Sequence, residues 1–141
     1  MYHKVTIVGY LGRDPEMRYT PDGTPVTSFS VATNRRWTNP DGSTREETVW
    51  FRVSAWRRLA ETCNQYLSKG RPVLVEGTLR PDPNTGNPRI WTRQDGTAAA
   101  SYELTANTVR FLGGRGEQAE FGPSEDAEEM PGTIEAEDIP F

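Results

Sequence analysis

A chain of 141 residues holds one ordinary domain and an appendage, and its 34% apolar residues supply one modest core. With one cysteine (Cys63) and one histidine (His3), the sequence excludes an internal disulfide, a cysteine-based zinc cluster, a multi-histidine metal site and a histidine-based triad. The formal charge of −4 averages two unlike pieces: residues 1–112 carry 15 Lys and Arg against 11 acids (+4), whereas 113–141 carry one Arg against nine acids (−8).

The opening stretch, MYHKVTIVGYLGRD, lacks the apolar run of a signal peptide, and no segment approaches the roughly 18 apolar residues of a membrane span. A soluble, reducing compartment and no membrane partner are therefore expected. Residues 4–11 alternate Val5, Ile7, Gly9 and Leu11 on one side, the pattern of a half-buried strand. Residues 13–25, rich in Pro and Gly, read as a loop. A second strand covers 26–37, a turn region follows, and 48–56 is a third strand. The adjacent Glu46 and Glu47 read as a solvated turn edge rather than a metal site.

Helical spacing then takes over at 57–70, with Leu59, Cys63, Tyr66 and Leu67 on one stripe, Lys69 in the last turn and Gly70 just past it. Cys63 reads as a small core residue. Strands resume at 72–80 and, after a long excursion, at 100–112. No internal repeat is visible. From 113 onward Gly, Pro and acids replace the alternation, so 113–134 reads as a disordered acidic linker before a tip at 135–141. Three strands, a helix and two strands predict an all-β OB-fold over 1–112: a five-stranded Greek-key barrel with one helix between its third and fourth strands.

The third strand carries the most information. Val49, Phe51, Val53 and Ala55 share one face, and Trp50, Arg52, Ser54 and Trp56 share the other. Two outward tryptophans about 20 Å apart, at roughly 3.3 Å rise per residue, are costly unless a partner uses them. The competing reading is a sheet buried on both faces or a subunit contact. Trp37, after Arg35 and Arg36, and Trp91, between Arg89 and Arg93, favour the partner, because every Trp then has an Arg within two residues. Aromatic platforms interleaved with cations suit single-stranded nucleic acid, whose bases stack while arginines neutralise the phosphates. The basic residues before 113 are 13 Arg with only Lys4 and Lys69, a bias toward phosphate and flat rings. No phosphate-cradling G-x-x-x-x-G-K-[ST] loop occurs, and no catalytic constellation or cofactor site stands out.

The stretches VTIVGYLGRDPEMRYTPDGTPVTSFSVATN, ETVWFRVSAW, LAETCNQYLSKG, VLVEGTLR and WTRQDG, with EDIPF at the tip, resemble the bacterial single-stranded DNA-binding protein (SSB) family. The resemblance spans most of 1–114 and resumes at the tip. It implies a cytoplasmic, nucleoid-associated homotetramer that binds single-stranded DNA without sequence preference. Trp37, Trp50, Trp56 and Trp91 would be base-stacking positions. Arg36, Arg52, Arg58, Lys69, Arg80, Arg89 and Arg93 fall at or beside cationic DNA positions. Trp56 stands where Phe is common. Phe51 stands where His is frequent, and by alternation it belongs to packing or a subunit contact. A single-stranded RNA-binding OB module is the alternative reading of the same platform.

Glu137, Asp138, Ile139, Pro140 and Phe141 read as a docking peptide, and the resemblance implies replication, recombination and repair proteins as its partners. Phe141 offers a ring and a carboxylate together, Pro140 restricts the backbone, Ile139 adds a second apolar anchor, and the acids steer toward basic surfaces.

Overall fold

The computed structural model describes residues 1–113; the expected linker and docking tip lie outside the described residues. Eight strands and one helix follow in order: β1 (Val5–Leu11), β2 (Glu16–Tyr19), β3 (Pro25–Thr38), β4 (Thr44–Trp56), α1 (Arg58–Tyr66), β5 (Pro72–Leu79), β6 (Ile90–Thr92), β7 (Ala98–Ala100) and β8 (Tyr102–Phe111). The main sheet runs β1-β5-β8-β4-β3-β2 and closes through an additional β1–β3 pairing. All its ladders are antiparallel except β4–β8, which is parallel. Strands β1, β3, β4, β5 and β8 form the barrel, with α1 between the third and fourth of them, as the OB-fold requires.

The alternation of apolar residues dictates what the barrel encloses. Ile7 and Leu11 from β1, Phe29 and Val31 from β3, Val53 and Ala55 from β4, Val73 and Val75 from β5, and Leu104 and Ala106 from β8 form one buried cluster. The helix contributes Cys63 from its apolar stripe, and Leu67 joins the cluster from the helix C-cap. Burial pushes the Cys63 thiol up to about 12, since a thiolate would be deprived of water. Thr27 is fully buried between sheet and helix and donates its hydroxyl to the Ala60 carbonyl at 2.7 Å.

Closure needs two close backbone approaches. A Cβ on Gly9 would lie 2.1 Å from the Ala32 carbonyl oxygen of β3, and one on Gly77 would lie 2.1 Å from that of Thr105 on β8. Gly77 also marks the register shift in the β5–β8 ladder, where the strand bends.

The structure corrects four local expectations. The Pro- and Gly-rich 13–25 segment contains a strand, β2, whose residues pair with Pro25–Ser28 of β3. The β3–β4 hairpin runs further than expected, with a tip of only residues 39–43. Glu46 and Glu47 therefore sit within a ladder opposite Arg36 and Arg35, not on a turn edge. The helix ends at Tyr66, short of Lys69, because Leu67 turns extended (φ −94°, ψ 151°) to carry its side chain into the core.

A recurring device was missed in the sequence. Residues 20–24, 39–43 and 93–97 close three hairpins with the same form, an Asp-Gly pair followed by Thr or Ser. In each, the Gly N–H donates three residues back, at 2.8 Å to Thr20 and 2.9 Å to Asn39 and Arg93. Gly23, Gly42 and Gly96 take φ of 89°, 93° and 93°, the left-handed conformation that suits glycine. The carboxylates of Asp22, Asp41 and Asp95 accept backbone N–H donation from Thr24, Ser43 and Thr97. Hydroxyls of Thr20, Ser43 and Thr97 donate to the same carboxylates. Those hydrogen bonds hold all three acids below the usual carboxylate value of 3.8.

A folded-state value below the unfolded one stabilises the fold above pH 3.8, and that contribution fades as pH falls through the depressed values. The melting temperature should therefore decline on acidification below that point. The triple variant Asp22→Asn, Asp41→Asn, Asp95→Asn should decline less steeply. Equal slopes in calorimetry across pH 2 to 5 would show that these turns carry no pH-linked stability.

Candidate nucleic-acid interface

Once β4 donates Val53 and Ala55 to the core, its alternate residues must face outward. Trp50 is 51% exposed, Arg52 is exposed, and Trp56 is half-buried. Ser54, between Arg52 and Trp56, is buried at 8% exposure. The neighbouring strands extend the stripe into a surface. In register, Trp50 lies beside Ala32 and Arg52 beside Ser30 on β3, while Ala32 in turn lies beside Tyr10 on β1. On the other side Arg52 pairs with Glu103 and Ser54 with Thr105 of β8. The β3 neighbours of Trp50 and Arg52, Ala32 and Ser30, are small, whereas Trp56 lies beside Val26.

Trp50 rests on the chain leaving β1. A Cβ on Gly12 would sit 2.6 and 2.7 Å from two ring carbons of Trp50, so the glycine provides the floor on which the indole lies. An open depression of about 460 Å³ adjoins this ring, lined by Glu47, Thr48, Val49, Trp50, Ala100, Ser101 and Tyr102. Phe51, expected to pack, does so: it borders the core and its ring stands 5.7 Å from that of Tyr102.

The other tryptophans occupy separate places. Trp37 has the strand parity of Val31 and Thr33, opposite to that of Ala32, so it lies across the β3–β4 ribbon from the Trp50 stripe. The Arg35 guanidinium lies 4.8 Å from the centre of its ring, and its indole N–H donates to Asn39 at 3.2 Å. Trp91 stands 42% exposed on the two-stranded β6–β7 hairpin, opposite Ala99. Thus Trp50 and Trp56 share one face, while Trp37 and Trp91 sit on two projecting ribbons.

The cations divide by what already holds them. Among the described residues, Arg52, Arg58, Lys69 and Arg80 are exposed and make no ion pair. Arg36 meets Glu46 at 3.8 Å with both partners exposed, a contact worth at most about 1 kcal/mol and readily exchanged. Arg93 donates to the Thr97 hydroxyl and the Ala98 carbonyl at 3.3 Å, bracing its own hairpin. Arg89 is committed to Glu103, at 3.3 Å to each carboxylate oxygen. Sequence reasoning singled out neither Gly12 nor Glu103; only the folded register brings them beneath Trp50 and beside Arg52. Among the described residues no three His, Cys, Asp or Glu side chains gather to hold a metal ion, and no helix is long and apolar enough to cross a membrane.

Residues 2–112 match the profile of the Single-strand binding protein family. The chain belongs to that family. A single-stranded DNA-binding protein of Neisseria meningitidis serogroup A is 40% identical over 124 residues, 88% of this chain and 67% of the relative. One from Xanthomonas axonopodis pv. citri is 43% identical over 115 residues, 82% of this chain and 60% of its own length. Among solved structures, a Plasmodium falciparum SSB complex with ssDNA superposes with a TM-score of 0.65 at 24% identity, covering 79% of this chain and 96% of that one. A small single-stranded DNA-binding protein from Streptomyces coelicolor gives 0.63 at 25% identity, covering 77% and 93%.

Because Trp50 rests on Gly12, replacing Gly12 with Val should push the indole off its floor while leaving the barrel closed. The expected outcome is a shifted Trp emission in the free protein and nucleic-acid affinity weakened about tenfold, within the stacking value of one base. An unchanged emission spectrum together with unchanged affinity would show that Gly12 does not set the ring.

Proposed function

We propose that the protein coats single-stranded DNA without sequence preference and as a homotetramer, shielding exposed strands from re-pairing and nucleases. It is a binding protein, not an enzyme. The carrying observation is the outward Trp50–Arg52–Trp56 stripe on a barrel of the Single-strand binding protein family. Bases stack on Trp50 and Trp56, and Trp37 and Trp91 on the projecting ribbons extend the path. Arg36, Arg52, Arg58, Lys69, Arg80 and Arg93 neutralise the phosphates between. Stacking platforms accept any base, because every base has a π-face, and this explains the absence of sequence preference.

Recruitment of replication, recombination and repair enzymes is assigned to Glu137, Asp138, Ile139, Pro140 and Phe141, beyond the acidic linker 113–134. The −8 segment competes weakly with DNA for the arginines of the +4 barrel and is displaced when DNA binds.

A titration of poly-dT followed by Trp quenching should show log affinity falling with log salt at a slope near −0.7 per phosphate neutralised. Trp50→Ala and Trp56→Ala should each cost about 1–3 kcal/mol of binding. Unchanged affinity in both would sink the stacking assignment, and preferential binding of an equal-length RNA would favour the RNA module. Removing Phe141 should spare DNA affinity and abolish retention of partner enzymes; retention equal to the full chain would remove the tip from that role.

A further inference from the structure

A carboxylate is out of place on a surface that receives a polyanion, yet Glu103 lies on that surface. On β8 the core takes Leu104 and Ala106, so Glu103 and Thr105 belong to the outer face, the face of Arg52 and Ser54 beside them. Glu103 is nevertheless only 7% exposed, the one buried charged side chain among the described residues. What covers it is the segment leading into β6. Arg89 approaches both carboxylate oxygens at 3.3 Å, and the Ser101 hydroxyl donates at 3.4 Å. The backbone of Glu103 is fixed as well, since its carbonyl accepts the Arg80 N–H at 2.8 Å.

Arg89 is two residues from Trp91, and β6 and β7 form a sheet of their own that is not part of the barrel ladder. Besides chain continuity through β7 into β8 and the burial of Ala99, the Arg89–Glu103 ion pair links the segment entering this hairpin to the sheet. We propose that Glu103 is a positioning residue for single-stranded DNA: it holds Arg89, and with it the Trp91 hairpin, beside the Trp50–Trp56 stripe. The charge of Arg89 is spent on Glu103, so Arg89 is no phosphate ligand although its place in the sequence suggests one. This rests on the single-stranded DNA reading above.

The pair has a signature that a purely structural role lacks, because it fixes how many phosphates the protein neutralises. Freed from Glu103, Arg89 becomes an additional cation on the DNA face. Glu103→Gln in the full chain, titrated with oligo-dT from low to moderate salt, should steepen the log–log slope by about 0.7. Arg89→Gln combined with Glu103→Gln removes both charges and should return the slope to the wild-type value. The alternative, in which Arg89 binds phosphate independently of Glu103, gives no change for Glu103→Gln and a slope shallower by about 0.7 for the double variant. That pattern would overturn the proposal. The double variant leaves no lone buried charge, so its slope decides the matter even where Glu103→Gln fails to fold.

Positioning is read separately. Trp91→Ala should weaken binding about fivefold or more in the wild-type background, the lower end of one base's stacking, but less than twofold in the double-variant background. An equal loss in both backgrounds would show that the pair does not place Trp91. Trp50→Ala, introduced into both backgrounds, should weaken binding alike in each. No loss of affinity from Trp50→Ala in either background would overturn the stacking face and the proposal with it; an equal loss in both, beside a double-variant slope shallower by about 0.7, would overturn the pair alone.

Discussion

Of the two close backbone approaches, the one that joins the ends of the barrel is that of β1 to β3 at Gly9. With no side chain there, the Ala32 carbonyl comes within 2.1 Å of where a Cβ would stand, and β1 can pair with β3 on one side while pairing with β5 on the other. A barrel has no free edge along that seam. More important for function, closure commits one face of every barrel strand to the interior. Whatever sits on the alternate positions must meet solvent or a ligand, and on β4 those positions hold two tryptophans and an arginine.

The outer surface then works by separating its tasks. The barrel part is β4 between β3 and β8: its residues 51–54 are laddered on both sides, and Trp50 and Trp56 flank that stretch, paired with β3. The extended part consists of two ribbons, β3–β4 beyond the barrel and β6–β7, which carry Trp37 and Trp91 outward. Acidic residues along these ribbons are not idle charge. Glu46 and Glu47 face Arg36 and Arg35 across exposed ladder positions, loosely enough to exchange. Glu103, sheltered from water, holds its arginine in a less screened setting. The cationic face is thus graded, from free side chains at Arg52 and Arg80 to an arginine engaged at Arg89.

Much of this was legible before folding, for identifiable reasons. Period-two alternation in β1 and β4 specified which side chains enter the core, and Ile7, Leu11, Val53 and Ala55 lie there. It specified the outward Trp50 stripe by the same rule. The helix was legible as an element but not in extent: Leu67 satisfies a helical stripe, yet it reaches the core from an extended cap. β2 was hidden because Pro and Gly on both sides of Glu16–Tyr19 outweighed a strand of four residues, and its pairing with β3 supplies what propensity lacks. Trp37 shows a subtler limit. Its closeness to Arg35 and Arg36 was plain in the sequence, but its side of the ribbon follows from register counted along β3. Gly12 and Glu103 were invisible because their roles exist only across strands.

The buried Cys63 has a practical consequence. Reaction with alkylating reagents proceeds through the thiolate, and a thiol raised to about 12 holds on the order of one thiolate in 10⁵ at neutral pH. Its side chain is also fully buried. The parent chain therefore behaves toward such reagents as though it had no cysteine. A single cysteine added at the tip of the β6–β7 or β3–β4 hairpin becomes the one labelled position, and a dye there reports that ribbon's movement with no background from the barrel.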